Sequence, residues 1–251
     1  MDIGSVHTQI VAKVATLTFF HPASNSLPSN LLKKMTEELI SLGQNEEVHV
    51  IVLKSGGAKT FCAGASFEEL LVVDSKDKGT QFFMGFAHLI NAIRSCTKVV
   101  IGLVQGKAVG GGVGLLSACD YCLATEEAAV KLSELFIGIG AFVIEPAVTR
   151  KVGKSAFSTL ALEATEWHPA SWGLAKGLFS KVFSSIEEMQ VAAEKLSTAL
   201  ASYSPEALLE MKKVFWEGTE HWDTLLAERA AISGKLVLSK FTKETLHKLK
   251  K

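Results

Sequence analysis

Two segments built of small residues are places where backbone, rather than side chains, could meet a ligand. The first is Phe61-Cys62-Ala63-Gly64-Ala65-Ser66. The second, Gly106-Lys107-Ala108-Val109-Gly110-Gly111-Gly112-Val113-Gly114, is the densest glycine cluster in the chain. Each follows an apolar run of strand length, and the second leads into a helix, whose first N–H groups have no partner within the helix. Two N–H groups from separate loops could then converge on one ligand oxygen as an oxyanion hole, where each donor typically contributes about 2.7–4 kcal/mol. The same composition also suits tight packing of a helix on a sheet, and composition leaves both readings open. A nucleotide site is excluded by spacing. From Gly110 or Gly112 the final glycine of a GxGxxG pattern falls on Leu115 or Ser117, after Gly138-Ile139-Gly140 it falls on Val143, and Gly106-Lys107-Ala108 lacks the Ser or Thr of a phosphate loop.

Metal chemistry finds no support either. The four cysteines are Cys62, Cys96, Cys119 and Cys122. The Cys119-Asp120-Tyr121-Cys122 pair has no second ligand pair at zinc spacing and reads as two small buried residues.

The elements that must hold these segments alternate. Val11–Phe20, rich in β-branched and aromatic residues, reads as the second arm of a hairpin ending at His21-Pro22. Pro28 opens a helix with Leu31, Leu32, Met35, Leu39 and Ile40 on one face. Val48–Leu53 reads as a strand ending at Ser55-Gly56-Gly57, and Phe67–Leu71 as a short helix. The spacing of Phe82, Phe86, Leu89, Ile90 and Ile93 predicts an amphipathic helix, and Lys98–Val104 a buried strand. Leu115–Ala118 continues as helix, with strands at Tyr121–Ala124 and Ala129–Leu132. This alternation implies an α/β fold with a largely parallel sheet. Beyond it the pattern becomes helical: Ser185 and Glu188 form a capping box, Ser204-Pro205 opens a further helix, and Leu225–Lys251 reads as helix. The expected division is a core over 1–190 and a helical subdomain over 191–251.

The whole-chain numbers bound the function. At 251 residues the chain can bury a large core without staples. Its 26 basic and 26 acidic residues cancel, so no positive field exists to collect nucleic-acid phosphates. No apolar run reaches the roughly 18 residues of a membrane span, and Met1-Asp2-Ile3-Gly4 lacks the build of a signal peptide, so a cytoplasmic protein is expected.

The strings Phe61–Ala65, Gly106–Gly112 and Ala118-Cys119-Asp120, with Pro22-Ala-Ser-Asn-Ser-Leu27 before them and Ser133-Glu134-Leu135 after, resemble the signature of the crotonase (enoyl-CoA hydratase/isomerase) superfamily. Order and spacing match from about residue 8 to residue 180. The resemblance implies a crotonase-like fold of repeated ββα units with a C-terminal helical subdomain. It implies an acyl-CoA thioester as substrate, no separate cofactor and no metal. The thioester oxygen would be held by the N–H groups of Ala65 and Gly111, with Ala63, Gly64 and Gly110 completing the CoA site and the Ala63 backbone near the adenine. Glu134 matches one of two glutamates common in family hydratases. The other position is Gly114, a departure that suggests room for a branched or bulky acyl group. The loop Gly138-Ile-Gly-Ala-Phe142-Val-Ile-Glu145-Pro146 departs as well. Together with Gly110–Leu115 it is closest to methylglutaconyl-CoA hydratase-like members, and Gly114, Phe142, Glu145 and His168 are the acyl-pocket candidates. The implied activity is hydration of an α,β-unsaturated acyl-CoA, or its reverse. The alternatives are a single-glutamate isomerase moving a double bond from the 3 to the 2 position, and a non-catalytic acyl-CoA-binding subunit. Assembly as a homotrimer or homohexamer is implied, with the basic tail (Lys235, Lys240, Lys243, Lys248, Lys250, Lys251) available to a neighbour's CoA phosphates.

Overall fold

The N-terminal β-branched stretch forms a hairpin, with β1 (Ser5–Val11) antiparallel to β2 (Val14–Phe20) and Val11 opposite Val14. Its two turn residues, Ala12 and Lys13, both have positive φ (47° and 68°), the turn geometry that matches right-twisted strands. Val11 therefore closes the first arm and does not open the second. A computed structural model describes residues 4–250; Met1–Ile3 and the terminal Lys251 of the basic tail lie outside the described residues. Helix α1 (Ser29–Gln44) starts behind Pro28 and buries Leu31, Leu32, Met35 and Leu39. Ile40, expected on that face, is 48% exposed because the buried stripe continues to Leu42 instead.

The chain then repeats one path three times. A long strand crosses a first sheet, a corner turns it into a short strand of a second sheet, and helix follows. The first pass is β3 (Val50–Ser55) and β4 (Thr60–Cys62), then α2 (Phe67–Leu71) and α3 (Lys76–Ser95). The second is β5 (Val99–Val104) and β6 (Lys107–Val109), then α4 (Gly111–Ala118). The third is β7 (Tyr121–Thr125) and β8 (Ala129–Lys131), then α5 (Glu145–Leu162). After them come β9 (His168–Pro169), α6 (Ala170–Ala175), β10 (Lys181–Phe183), α7 (Ile186–Ala201), α8 (Pro205–Phe215), α9 (Trp222–Leu236) and α10 (Lys240–Leu249). The large sheet has the order β1-β2-β3-β5-β7-β10, parallel from β2 onward; the small one has the order β4-β6-β8-β9, with β9 antiparallel.

Buried polar groups fix the corners between the sheets. Gln105 donates from Nε2 to Ser55 Oγ (2.9 Å) and the carbonyls of Gly57 and Thr60 (3.1 and 3.2 Å), while its own carbonyl accepts from Thr125 Oγ1 (2.9 Å). Asn25 donates from Nδ2 to the carbonyls of Gly56 and Thr60, both at 2.8 Å. Left unpaired at such depth, each of these groups would cost about 1–3 kcal/mol.

The helical third does not stand apart. Residue 190 falls inside α7, whose Met189 and Ala193 pack on Val50, Val52, Ile101 and Leu123 of the large sheet. The Ser185 hydroxyl caps α7 by accepting from Glu188 N–H (3.1 Å), but Glu188 reaches back to Ser184 Oγ (2.7 Å), one residue short of a capping box. Asp120 binds α8 to the core. One carboxylate oxygen accepts from Val100 N–H (2.7 Å) and lies 3.0 Å from Lys212 Nζ, and the other accepts from Trp216 Nε1 (2.8 Å). The expected helix over Leu225–Lys251 is two helices, α9 and α10, separated at Ser239, whose hydroxyl caps α10. Among the described residues no helix is long and apolar enough to cross a membrane.

Helix α9 lies against α3 where Gly79 meets Gly234. A Cβ on Gly79 would sit 2.8 Å from the Gly234 carbonyl oxygen, and one on Gly234 would strike the Thr80 backbone. Gly234→Ala should therefore destabilise the fold by about 1–3 kcal/mol, as overpacking does, read as a lower midpoint in urea unfolding. An unchanged midpoint would show that the two helices do not meet at this glycine pair.

Candidate active site

Because β4, β6 and β8 run parallel, their C-terminal ends lie side by side, the position at which parallel sheets present backbone to ligands. The β4 end carries Ala63–Ala65, the β6 end Gly110 and Gly111, and the β8 end Ser133 and Glu134. All three segments line one cavity of about 340 Å³.

The first segment is held from behind. Ala63 N–H donates to the Ser24 carbonyl (3.1 Å), and Leu27 N–H donates to the Gly64 carbonyl (2.8 Å) through a parallel bridge between Leu27 and Ala65. Gly64 has φ +87°, and a Cβ there would lie 2.9 Å from the Val109 carbonyl and 3.6 Å from Gly111 N, so the first two segments touch. Gly111 is the first residue of α4, packed so closely on the Phe86 ring that it has no space for a side chain. Neither Ala65 N–H nor Gly111 N–H has a backbone acceptor among the described residues. Both residues line the cavity.

Glu134 completes the arrangement. Its backbone opens the turn after β8, where the Glu134 carbonyl accepts from Ile139 N–H (3.0 Å), and its carboxylate folds back over Gly110. A Cβ on Gly110, whose φ is +52°, would lie 2.7 Å from Glu134 Oε1. Oε2 is buried with no hydrogen-bond partner among the described residues. Burial pushes the carboxyl up from its ordinary 4.5 to about 7, only slightly offset by a bond to its own backbone. A carboxyl half-ionised near neutrality, beside two free N–H donors, is placed to move protons to and from a carbon next to a carbonyl.

The remaining wall is apolar, with Phe83, Phe86, Phe136, Phe142 and Ile144 prominent, and helices α9 and α10 supply Ser233 and Leu249. Phe142 is thus on the wall as expected, and the other three acyl-pocket candidates are not. Gly114 offers no room, because the Ile144 side chain occupies the space over its Cα. Glu145 turns away, accepting from Thr149 Oγ1 (3.0 Å) and lying 3.6 Å from Arg229 Nη2. His168 is buried in β9, packed at a tilt against Trp172 (4.7 Å between centroids, planes at 47°) with Nε2 3.3 Å from Glu163 Oε2. Lys131 was not a sequence candidate, yet it and Glu134 are the charged residues of the wall among those described. A larger groove of about 650 Å³ between α1 and α3 is lined by Lys33, Glu37, Lys78 and His88. It contains neither the free donors nor Glu134. Cys119 and Cys122 are buried as free thiols, donating to the Leu115 and Leu116 carbonyls (3.6 and 3.1 Å).

A family model described as enoyl-CoA hydratase/isomerase matches residues 9–248. The short-chain-enoyl-CoA hydratase of Clostridium acetobutylicum is 28% identical, over 98% of this chain and 94% of that protein. The peroxisomal Delta(3,5)-Delta(2,4)-dienoyl-CoA isomerase of Arabidopsis thaliana is 30% identical, over 78% of this chain and 74% of that protein. The match to the enoyl-CoA hydratases AKT6-1 and AFT6-1 of Alternaria alternata, at 30% identity, spans 59% of their length. The crystal structure of an enoyl-CoA hydratase from Bacillus halodurans superposes with a TM-score of 0.90 at 22% identity, covering 97% of this chain and 99% of that one, and shows the same fold.

The raised pKa of Glu134 has a stability consequence. A carboxyl that titrates higher folded than unfolded favours the fold while protonated, and that contribution is lost as pH rises from about 4.5 through about 7. Glu134→Gln never ionises, so its melting temperature should exceed that of the unsubstituted protein by at least about 3 °C at pH 8, with the gap closing by pH 5. A gap of equal size at both pH values would mean that the carboxylate is not held in an apolar site.

Proposed function

We propose that this chain, which belongs to the enoyl-CoA hydratase/isomerase family, adds water to an α,β-unsaturated acyl-CoA or removes it in the reverse direction. The observation that carries this reading is the buried Glu134 carboxylate, its Oε2 without a hydrogen-bond partner among the described residues, against the glycine turn that leads into Gly111. The thioester oxygen is held by the N–H groups of Ala65 and Gly111. Ionised Glu134 takes a proton from water as the water oxygen bonds to C3. The C2–C3 π pair moves onto the thioester as an enolate, whose oxygen the two donors stabilise. Protonated Glu134 then returns the proton to C2. Water is consumed, no electrons are gained or lost, and one carboxyl near pH 7 serves both steps.

Isomerisation is the second reading, favoured by one observation. Ile144 fills the space over Gly114, so Glu134 is the one carboxylate on the cavity wall among the described residues. A single base suffices to carry a proton from C2 to C4. The strings Gly110–Leu115 and Gly138–Pro146 support a methylglutaconyl-type acyl group as the finer assignment. In the basic tail, Lys243 donates to the Val73 carbonyl and Lys240 lies 3.8 Å from Glu244, which leaves Lys248 freer to reach a neighbouring subunit's ligand.

A panel of enoyl-CoA thioesters analysed by mass spectrometry decides between the readings. Hydration adds the mass of water, whereas isomerisation leaves mass unchanged and moves the double bond. With the substrate so found, Glu134→Gln should lower kcat by about 10²–10⁴-fold with little change in affinity for a CoA ester. Near-full turnover in that variant would remove Glu134 from the chemistry. Light scattering should give three or six times the 27.0 kDa chain mass, and a stable monomer would contradict the proposed assembly.

A further inference from the structure

Two ammonium groups share one indole ring at the β8 side of the cavity. Lys131 Nζ lies 4.6 Å and Lys107 Nζ 4.9 Å from the centroid of Trp167. The small sheet brings them together. Val109 pairs with Lys131, so Lys107 falls two residues away on the same face, and the antiparallel pairing of Val130 with His168 sets Trp167 beside Lys131. Neither lysine forms an ion pair among the described residues. Two unneutralised cations held close by one aromatic ring, one of them on the wall of an apolar cavity, raise the local potential for an incoming anion.

Strand order fixes which end of the substrate meets them. Across the sheet from β4 to β9 come, in turn, the Ala65 donor after β4, the Gly111 donor after β6, which carries Lys107, Glu134 after β8, which carries Lys131, and Trp167 immediately before β9. With the thioester oxygen between the first two and the reacting carbons at Glu134, the acyl chain continues toward β8 and β9. The CoA moiety leaves on the opposite side, by Ala63. We infer that Lys131, supported by Lys107 on Trp167, binds a carboxylate at the far end of the acyl group, so that the protein selects acyl-CoA esters of dicarboxylic acids. This rests on the acyl-CoA reading above and adds the residue that selects among such esters.

The test uses saturated thioesters, which hydration cannot consume, so it does not depend on the reaction type. Glutaryl-CoA and valeryl-CoA have the same chain length and differ in a terminal carboxylate against a methyl. Calorimetric titration of the whole protein at low salt should give tighter binding of glutaryl-CoA. Lys131→Gln should shrink that ratio of affinities by about 10–100-fold, the range of a hydrogen bond to a charged group, and Lys131→Arg should keep most of it. Lys107→Gln should reduce the ratio by a smaller factor. Using a ratio cancels any general loss of active protein. Equal affinity for the two esters in the unsubstituted protein overturns the inference. So does a Lys131→Gln variant that weakens both esters alike, because the lysine would then be reading a CoA phosphate. Failure of the protein to bind either ester overturns the acyl-CoA reading, and this inference with it.

Discussion

The Glu134 carboxylate occupies the space where residue 110 would carry its Cβ, and much of the architecture around the cavity serves that single exclusion. With no side chain at 110, the turn can take a positive φ, and α4 can begin at Gly111 on the cavity wall. Helix α4 is buried along its whole length, and while Val113 N–H pairs with the Gly110 carbonyl (2.8 Å), Gly111 N–H at the cavity wall has no backbone acceptor among the described residues. The carboxylate in turn loses water, which is why its proton is held to about pH 7. A polar side chain at 110 would both displace Glu134 and block the donor. Activity and local backbone shape are therefore one requirement here.

That requirement is met by repetition. Each ββα pass delivers a strand end to the same place, and each end brings a different group to the cavity: the Ala65 backbone, the Gly111 backbone at a helix start, and the Glu134 carboxylate. The corners that produce this convergence rely on amide side chains, Gln105 and Asn25, which hold several carbonyls at once and so fix the angle between the sheets. The helices that follow residue 185 extend the same core. Asp120 illustrates how, since its buried pairing with Lys212 and Trp216 ties α8 to the start of β5, where it also accepts from Val100 N–H. Buried ion pairs of this kind do little for net stability but are costly to break singly, so the pair specifies where α8 docks.

Much of this was legible from residue types. Strand and helix positions followed apolar spacing, and the small-residue segments marked where backbone would be exposed. Ala65, Gly111 and Glu134, the positions that the family resemblance implied, line one cavity together, and they could be placed because motif residues lie within short strings. What could not be read were contacts between residues far apart in sequence. Gly114 looked like open space because glycine adds none of its own bulk, yet Ile144 arrives from α5's leading turn to fill it. Glu145 is next in sequence to a wall residue but faces Arg229, His168 packs against Trp172 and Glu163, and Lys131 is a half-exposed strand residue whose placement appears only once β6, β8 and β9 are in register. The single helix expected at the C-terminus was two, because the break at Val237–Ser239 has no proline or glycine to announce it.

The contact between Gly114 and Ile144 also limits the order in which this sequence can change. Placing a glutamate at 114 while Ile144 remains would overpack the helix interface, at about 1–3 kcal/mol, and bury a second charge beside the first. Trimming Ile144 first would open a void where α4 meets α5, with a loss of about 2–5 kcal/mol for a change to alanine. Either substitution alone descends into a valley, whereas the two together exchange one filled state for another. Positions 114 and 144 are thus coupled through one contact, so the effect of a change at either depends on the residue at the other.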